Sequence, residues 1–398
     1  MTRISQRIAD IVESQTLAMT KKARELKAAG RDIISLSIGE PDFDTPAFIC
    51  EAAHEAAQSG QTHYPPVSGI PELRQAICDK LLRENKVQYQ ADQIIISSGA
   101  KQSLINAVLA LVNPGDEVIL PAPYWVSYPT MVEYAGGKVV PLYTDASQDF
   151  KASAQQLESA ITDKTRLLLF SSPCNPSGAV MTPTELDAWA AVLERYPQVF
   201  ILSDEIYEHI QYEGPHSSLA THEALQNRLA IVNGFSKGYA MTGWRLGYLA
   251  GPKDLVAACD KVQGLFTSGA NSVAQWAGVA ALNGDQSEVR QMCDRFQSRR
   301  DLVIKAMNEI PHLQMPVPAG AFYVFPDVSH YLGKSDPQGN SLESSEDLCL
   351  YLLESAGVSC VSGTGFGAPN CIRLSYAAAE ESLLEACRRL KLAFEALN

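Results

Sequence analysis

Several things are scarce in this chain, and each absence removes a class of function. Positive charge is in deficit: 32 Lys and Arg stand against 45 Asp and Glu, a formal net charge of −13. That balance argues against nucleic-acid binding as the main role. No apolar run is long enough to span a bilayer, and the opening Met1-Thr2-Arg3-Ile4-Ser5-Gln6 lacks the apolar stretch of a secretory signal. The nine cysteines are odd in number and none sit at a short metal-type spacing, and the seven histidines form no paired metal motif. Reduced core thiols, no metal, no membrane and a cytoplasmic location are the expectations. There is no Walker P-loop, no dinucleotide fingerprint, no internal repeat and no low-complexity tract. What is present in quantity is core. With 46% hydrophobic residues, the 398-residue chain can bury two or three domain-sized interiors.

The apolar residues come in short runs. Ile94–Ser97, Glu117–Leu120, Lys138–Leu142, Arg166–Phe170, Val199–Ser203, Leu229–Asn233 and Tyr248–Ala250 read as strands. Helical stretches such as Lys101–Val112 and Thr184–Arg195 separate several of them, with Thr182 or Thr184 as a cap and Pro183 near the first turn. Buried strands alternating with helices predict an α/β fold: a mostly parallel seven-stranded sheet flanked by helices. Before it, an arm leads into a helix over Lys21–Ala29 that stops at Gly30. After about residue 285 a long helix to about Ile310, short strands at Ala321–Phe325, Val358–Val361 and Ile372–Ser375, and a closing helix Glu380–Leu397 predict a smaller α+β unit. Gly333 to Ser345 reads as an exposed loop.

Ligands on such sheets sit at the carboxyl ends of the strands, and the chemically suggestive residues fall there. Lys237 follows the run Ile231–Gly234, with Ser236 before it and Arg245 eight residues on. A desolvated lysine amine is the group that forms an imine with an aldehyde. Asp204, at the end of another run, can hold a protonated ring nitrogen, and Tyr207 can donate to a phenolate. Ser97-Ser98-Gly99-Ala100-Lys101 opens a helix whose N–H groups can cradle a phosphate, with Ser236 and Arg245 adding donors. Two prolines and a glycine fix a turn that aims Asn175, and Trp125 can stack on a flat ring. Arg373 is a charge inside an apolar strand and calls for an anion: an internal acid or a substrate carboxylate. Taken singly, each residue has an ordinary structural explanation. Together they are the parts that hold pyridoxal phosphate as a Schiff base on Lys237.

On these residues the chain resembles the fold-type I, class I aminotransferases, most closely the bacterial aspartate aminotransferase group. The motifs are Gly39-Glu40-Pro41-Asp42-Phe43, Tyr64-Pro65, Pro123-Tyr124-Trp125-Val126-Ser127-Tyr128, Asn175-Pro176, Ser203-Asp204-Glu205-Ile206-Tyr207, Ser236-Lys237 and Gly243-Trp244-Arg245. The resemblance implies that Lys237 carries the cofactor and shuttles the proton, and that Asp204 pairs with the pyridine nitrogen. Tyr207 and Asn175 then hold the phenolate oxygen, Trp125 stacks on the ring, and Gly99, Ala100, Lys101, Ser236 and Arg245 surround the phosphate. Tyr64 reaches the neighbouring subunit's phosphate, which implies a homodimer. Arg373 and the Gly39 backbone bind the substrate α-carboxylate, while Lys101 and Thr16 lie near the distal carboxylate.

The resemblance also implies an order along the chain: an arm and part of a small domain over 1–45, a large cofactor-binding domain over 46–290, and a small domain over 291–398. The reaction it implies is L-aspartate with 2-oxoglutarate giving oxaloacetate and L-glutamate, with ping-pong kinetics. An aromatic, alanine or prephenate aminotransferase, or a pyridoxal-phosphate lyase, remains an alternative on the same scaffold. Where relatives that use prephenate carry a basic residue and a proline, this chain has Val12 and Glu13, which puts prephenate use in question. Cys174 and Ser177 replace the commoner Asn and Thr of the asparagine turn. A transcriptional regulator built on the same domain would need further residues for DNA binding, which the sequence does not supply.

Overall fold

The computed structural model describes residues 4–9, 11 and 15–398, without the side chains of residues 6, 7 and 15–17. A two-residue strand, β1 (Ile34–Ser35), precedes the main sheet. That sheet contains β2 (Ile94–Ser97), β3 (Glu117–Pro121), β4 (Lys138–Leu142), β5 (Thr165–Ser171), β6 (Phe200–Asp204), β7 (Leu229–Gly234) and β8 (Gly247–Ala250), in the order β2-β8-β7-β6-β5-β3-β4. β8 is antiparallel to both neighbours, and the other pairings are parallel.

Alternation within the strands sends side chains into two separate cores. Leu167 and Leu169 of β5 pack with Leu104 and Val108 of the helix Ala100–Leu111. Leu168 and Phe170 pack on the opposite side with Leu186 and Trp189 of the helix Pro183–Leu193. This second helix starts as expected: Thr182 accepts from the Glu185 N–H, Glu185 reciprocates, and Pro183 occupies the first turn. Both faces are covered, so the apolar runs of strands such as β2, β5 and β7 are buried on both sides, while the edge strand β4 is only part-buried.

The last third of the chain adds two small sheets. β9 (Tyr323–Val324), β12 (Ile372–Ser375) and β11 (Val361–Ser362) form an antiparallel set, and β10 (Val358–Ser359) pairs in parallel with β1. The stretch Val358–Val361 is therefore two strands, divided at Cys360, because its halves bond to different partners. A third core forms here from Phe296, Met307, Phe322, Leu348, Leu374, Leu390 and Phe394, joined by Leu36. Helices Ser287–Met307 and Glu380–Glu395 cover it. The N-terminal helix is longer than expected, Gln15–Ala28.

The segment 333–345 corrects an expectation. It is more than an exposed loop: Leu342 and Ser345 are buried, and the Asp336 carboxylate accepts from the Gln338 and Asn340 backbone. Ser344 then caps the helix Ser345–Tyr351. A single inward leucine among polar residues left no periodic signal.

Candidate active site

Five strand ends deliver the site. β2 leads through Ser98 to Gly99, which takes φ +86° at the start of the helix Ala100–Leu111. β3 leads through a cis Ala122–Pro123 bond to Trp125 and the helix Ser127–Tyr134. β5 leads through a cis Ser172–Pro173 bond to Asn175. β6 ends at Asp204, with Tyr207 in the following turn, and β7 leads to Ser236 and Lys237. Because β8 runs against its neighbours, its start lies at this same edge. That brings Arg245, held at φ +55°, against Gly99. A Cβ at Gly99 would lie 2.6 Å from Arg245 Nη2, so only glycine fits beneath that guanidinium.

From the other side, β12 contributes Arg373 and the turn after β1 contributes Gly39. Together these elements enclose a cavity of about 330 Å³, a usual size for a small-molecule site. Gly39, Ala100, Lys101, Trp125, Asn175 and Asp204 line it, as do Tyr207, Ser236, Lys237, Arg245 and Arg373. Two expected residues are not brought together with them. Tyr64 is 97% exposed. Thr16 lies in the helix Gln15–Ala28, and its side chain, like Val12 and Glu13, is outside the described residues.

Lys237 Nζ donates to the Gly39 carbonyl at 2.6 Å and has no carboxylate partner among the described residues. Burial, with the nearby Arg373 and Arg245 cations and against the opposing pull of Glu40 and Asp204, brings its pKa down to about 8. Asp204 is buried. Its Oδ2 accepts from the Tyr128 hydroxyl at 2.7 Å and its Oδ1 from the Ile206 N–H at 3.2 Å. Burial pushes its pKa up to about 6 despite those donors. Tyr207 shares a 2.7 Å hydrogen bond with Tyr323, and burial pushes its hydroxyl well up.

Arg373 is 2% exposed. It donates to Asn175 Oδ1 at 2.9 Å and to the Ser37 carbonyl at 2.7 Å, and it lies over the Tyr323 and Phe366 rings. Its Nε has no partner, and no acid pairs with it among the described residues, so the internal salt bridge is not formed. Lys101 lies over the Trp125 ring at 4.7 Å, with its pKa lowered by burial and by Arg245.

Two residues of this site were given no role from sequence. Tyr128, the partner of Asp204, lies in the first turn of the helix Ser127–Tyr134, and its N–H donates to the Trp125 carbonyl at 2.9 Å; its place in the motif around Trp125 is the one signal the sequence offers. Tyr323 meets Tyr207 across 116 residues, and nothing local announces it.

The residues fit pyridoxal phosphate. A buried carboxylate lacks a cation, a buried guanidinium lacks an anion, and an amine with lowered proton affinity lies in the same cavity. A helix N-terminus backed by Arg245 offers a phosphate site. Sheet and cavity together fit a pyridoxal-phosphate enzyme that acts on amino acids.

Comparison with known proteins agrees. Residues 31–390 match the family described as aminotransferase class I and II. The chain is 49% identical over 394 residues to a probable aspartate/prephenate aminotransferase of Rhizobium leguminosarum bv. phaseoli, covering 98% of each. The crystal structure of the aspartate aminotransferase from Rhizobium meliloti superposes with a TM-score of 0.96 at 43% identity, covering 100% of both chains. The Thermus thermophilus aspartate aminotransferase with maleate gives 0.92 at 39% identity, covering 99% of this chain and 100% of that one. The chain belongs to the class I and II aminotransferases: it is an enzyme that moves amino groups between amino acids and 2-oxo acids with pyridoxal phosphate.

Proposed function

We propose that the enzyme transfers the amino group of L-aspartate to 2-oxoglutarate, giving oxaloacetate and L-glutamate. The observation that carries this reading is a pair of cations in one cavity. Arg373 is buried and without an acid, and Lys101 lies over Trp125. Arg373 would grip the α-carboxylate, with the Gly39 backbone beside it, and Lys101 with Thr16 would attract a second, distal carboxylate. The names of the Rhizobium relatives and the maleate in the Thermus structure point to the same dicarboxylate chemistry.

Bound pyridoxal phosphate supplies an aldehyde that accepts the amino group and a ring that takes up the electron pair left when Cα loses its proton. Lys237 would carry it and, once displaced by the substrate amine, would take the Cα proton on Nζ and return it. A pKa near 8 leaves part of that amine neutral at physiological pH. Asp204, fixed by Tyr128, would hold a proton on the ring nitrogen, and Tyr207 with Asn175 would bond the phenolate oxygen. Trp125 would cover the ring. The backbone from Gly99 to Lys101, with Ser236 and Arg245, would hold the phosphate.

Tyr64, exposed in the single chain, would complete the site across a homodimer. A division into 1–45 with 291–398 as the small domain and 46–290 as the large one is supported by largely separate cores, with Tyr207, Ile210 and Met292 packed across the proposed bounds. A reducing, cytoplasmic location would suit the free cysteines, and no described helix is long and apolar enough to cross a membrane.

Side-by-side turnover of the purified holoenzyme with aspartate, tyrosine, alanine and a cysteine sulfur compound, each with 2-oxoglutarate, tests the substrate. Aspartate should lead, with stoichiometric oxaloacetate. Absence of oxaloacetate refutes the assignment, and turnover of prephenate with glutamate would add the second activity named for the Rhizobium leguminosarum relative.

A further inference from the structure

The segment 39–45 leaves β1 and is held from two directions. Towards the main sheet, the Glu40 carboxylate accepts from the Thr242 hydroxyl. Thr45 Oγ1 donates to the Ala240 carbonyl at 2.7 Å and accepts from Trp244 Nε1 at 3.0 Å. Towards the helix Ser287–Met307, the Asp42 carboxylate takes both terminal nitrogens of Arg299, Nη1 to Oδ1 at 2.6 Å and Nη2 to Oδ2 at 3.0 Å. Arg299 is 8% exposed, and Asp42 is its one ionic partner among the described residues. Its guanidinium lies over the Phe43 ring at 4.9 Å and the Phe296 ring at 5.9 Å. Arg295, one turn earlier, also lies over Phe43, and Phe43 meets Phe296 edge to face at 5.1 Å.

This grip is directional. A planar fork fixes the carboxylate in both distance and angle, which a single ammonium does not do. Between Asp42 and Gly39 the chain has little give, because Pro41 locks its own φ and restricts Glu40 to extended backbone. At the far end there is no slack either. The Gly39 carbonyl accepts from Lys237, and a Cβ on Gly39 would overlap the Tyr323 hydroxyl. A displacement of Asp42 is therefore passed on to Gly39.

We propose that Arg299 is a positioning residue for amino transfer. By holding Asp42 it sets the Gly39 carbonyl, and through it the Lys237 amine and the carboxylate end of the substrate. Arg299 lines no part of the cavity and acts only through the 39–43 turn. The proposal rests on the reading of Lys237 as the cofactor lysine.

The test uses the holoenzyme of Arg299→Lys, Asp42→Asn and the double variant. Arg299→Lys keeps the charge and removes the fork. In each single variant kcat/KM for aspartate and for 2-oxoglutarate should fall roughly ten- to hundredfold, the cost of a misplacement of about 1 Å, with most of the loss in KM. The double variant should fall no further than the worse single one, as for two halves of one contact. The pH midpoint of the bound cofactor's absorbance should also move, because Gly39 lines the same cavity as Lys237 and shifts with the turn. A purely structural role would lower the melting temperature and leave KM and that midpoint in place, and this result overturns the proposal. Additive losses in the double variant, or failure of both single variants to fold, overturn it as well. Borohydride reduction and peptide mapping of the unaltered enzyme separates the two levels. A label on a lysine other than Lys237 removes the reading beneath the proposal, whereas a label on Lys237 with unchanged kinetics in the variants refutes the proposal alone.

Discussion

Replacement of Asp204 by asparagine should pull stability and activity in opposite directions. In the cofactor-free protein this carboxyl is buried beside Tyr128 with no cation to pair with, and its pKa rises from 3.8 to about 6. The native state thus holds the proton more tightly than the unfolded chain. The associated stability is fully present below pH 3.8 and is lost as pH rises through 6. At about 1.4 kcal/mol per pH unit the full loss is about 3 kcal/mol, and about half of it falls between pH 5 and 7.5. Asparagine cannot ionise and does not incur this loss. Urea unfolding of the two apoproteins should therefore show the stability of Asp204→Asn, relative to the unaltered protein, rising by about 1 to 2 kcal/mol from pH 5 to 7.5. Taking the difference between two pH values removes any constant effect of the amide on Tyr128 or Ile206. Turnover of the holo variant should fall on the order of a hundredfold or more, since a fixed charge aimed at the reacting system is lost. Added cofactor should also raise its melting temperature less than it raises that of the unaltered protein. A stability difference that stays flat or reverses between the two pH values refutes the reasoning, because it would mean that the Asp204 charge is already compensated without the cofactor.

Lys237 makes a second pH-dependent step measurable. Capture of pyridoxal phosphate by the apoprotein needs the neutral amine, so the capture rate followed by absorbance should rise about tenfold per pH unit and level off above about 8; a rise continuing towards 10.5 would show an unshifted lysine. Tyr128→Phe removes a charge-assisted hydrogen bond to Asp204, so calorimetry and steady-state kinetics should show about 1.5 to 3 kcal/mol lower stability at pH 7.5 and reduced kcat, with the KM for aspartate little changed.

The sheet was legible because its strands are buried on both faces. A run such as Ile94-Ile95-Ile96 has no solvent-facing position to interrupt it, and residues that follow such runs, Ala100, Asp204 and Lys237, reach the cavity. The short strands of the last third of the chain were less legible. At two residues each, β10 and β11 are set by their partners β1 and β12 and not by any pattern of their own. The same limit applies to the site. A charged residue or an asparagine facing the cavity invites a role by its chemical type, but Tyr128, Tyr323 and Arg299 act through contacts with residues 76, 116 and 257 positions away, although both tyrosines also line the cavity. Separation along the chain hides such pairs. The loop 333–345 shows the converse, where an abundance of polar residues concealed one buried Leu342 and a hydrogen-bonded turn around Asp336.

The order of strands in the main sheet has a consequence for how the protein is made. β2, which opens into the Gly99 turn, pairs with β8, more than 150 residues later, and Arg245 arrives with β8. Arg373 comes later still, from β12. A chain emerging from the ribosome can build β3 to β7 from parallel neighbours while β2 waits, its edge unpaired, for β8. Contacts of such separation close slowly. The Gly99 turn with Arg245, the proposed phosphate cradle, is thus among the last parts of the large sheet to exist, and a nascent or truncated chain lacking β8 would lack that proposed cofactor grip.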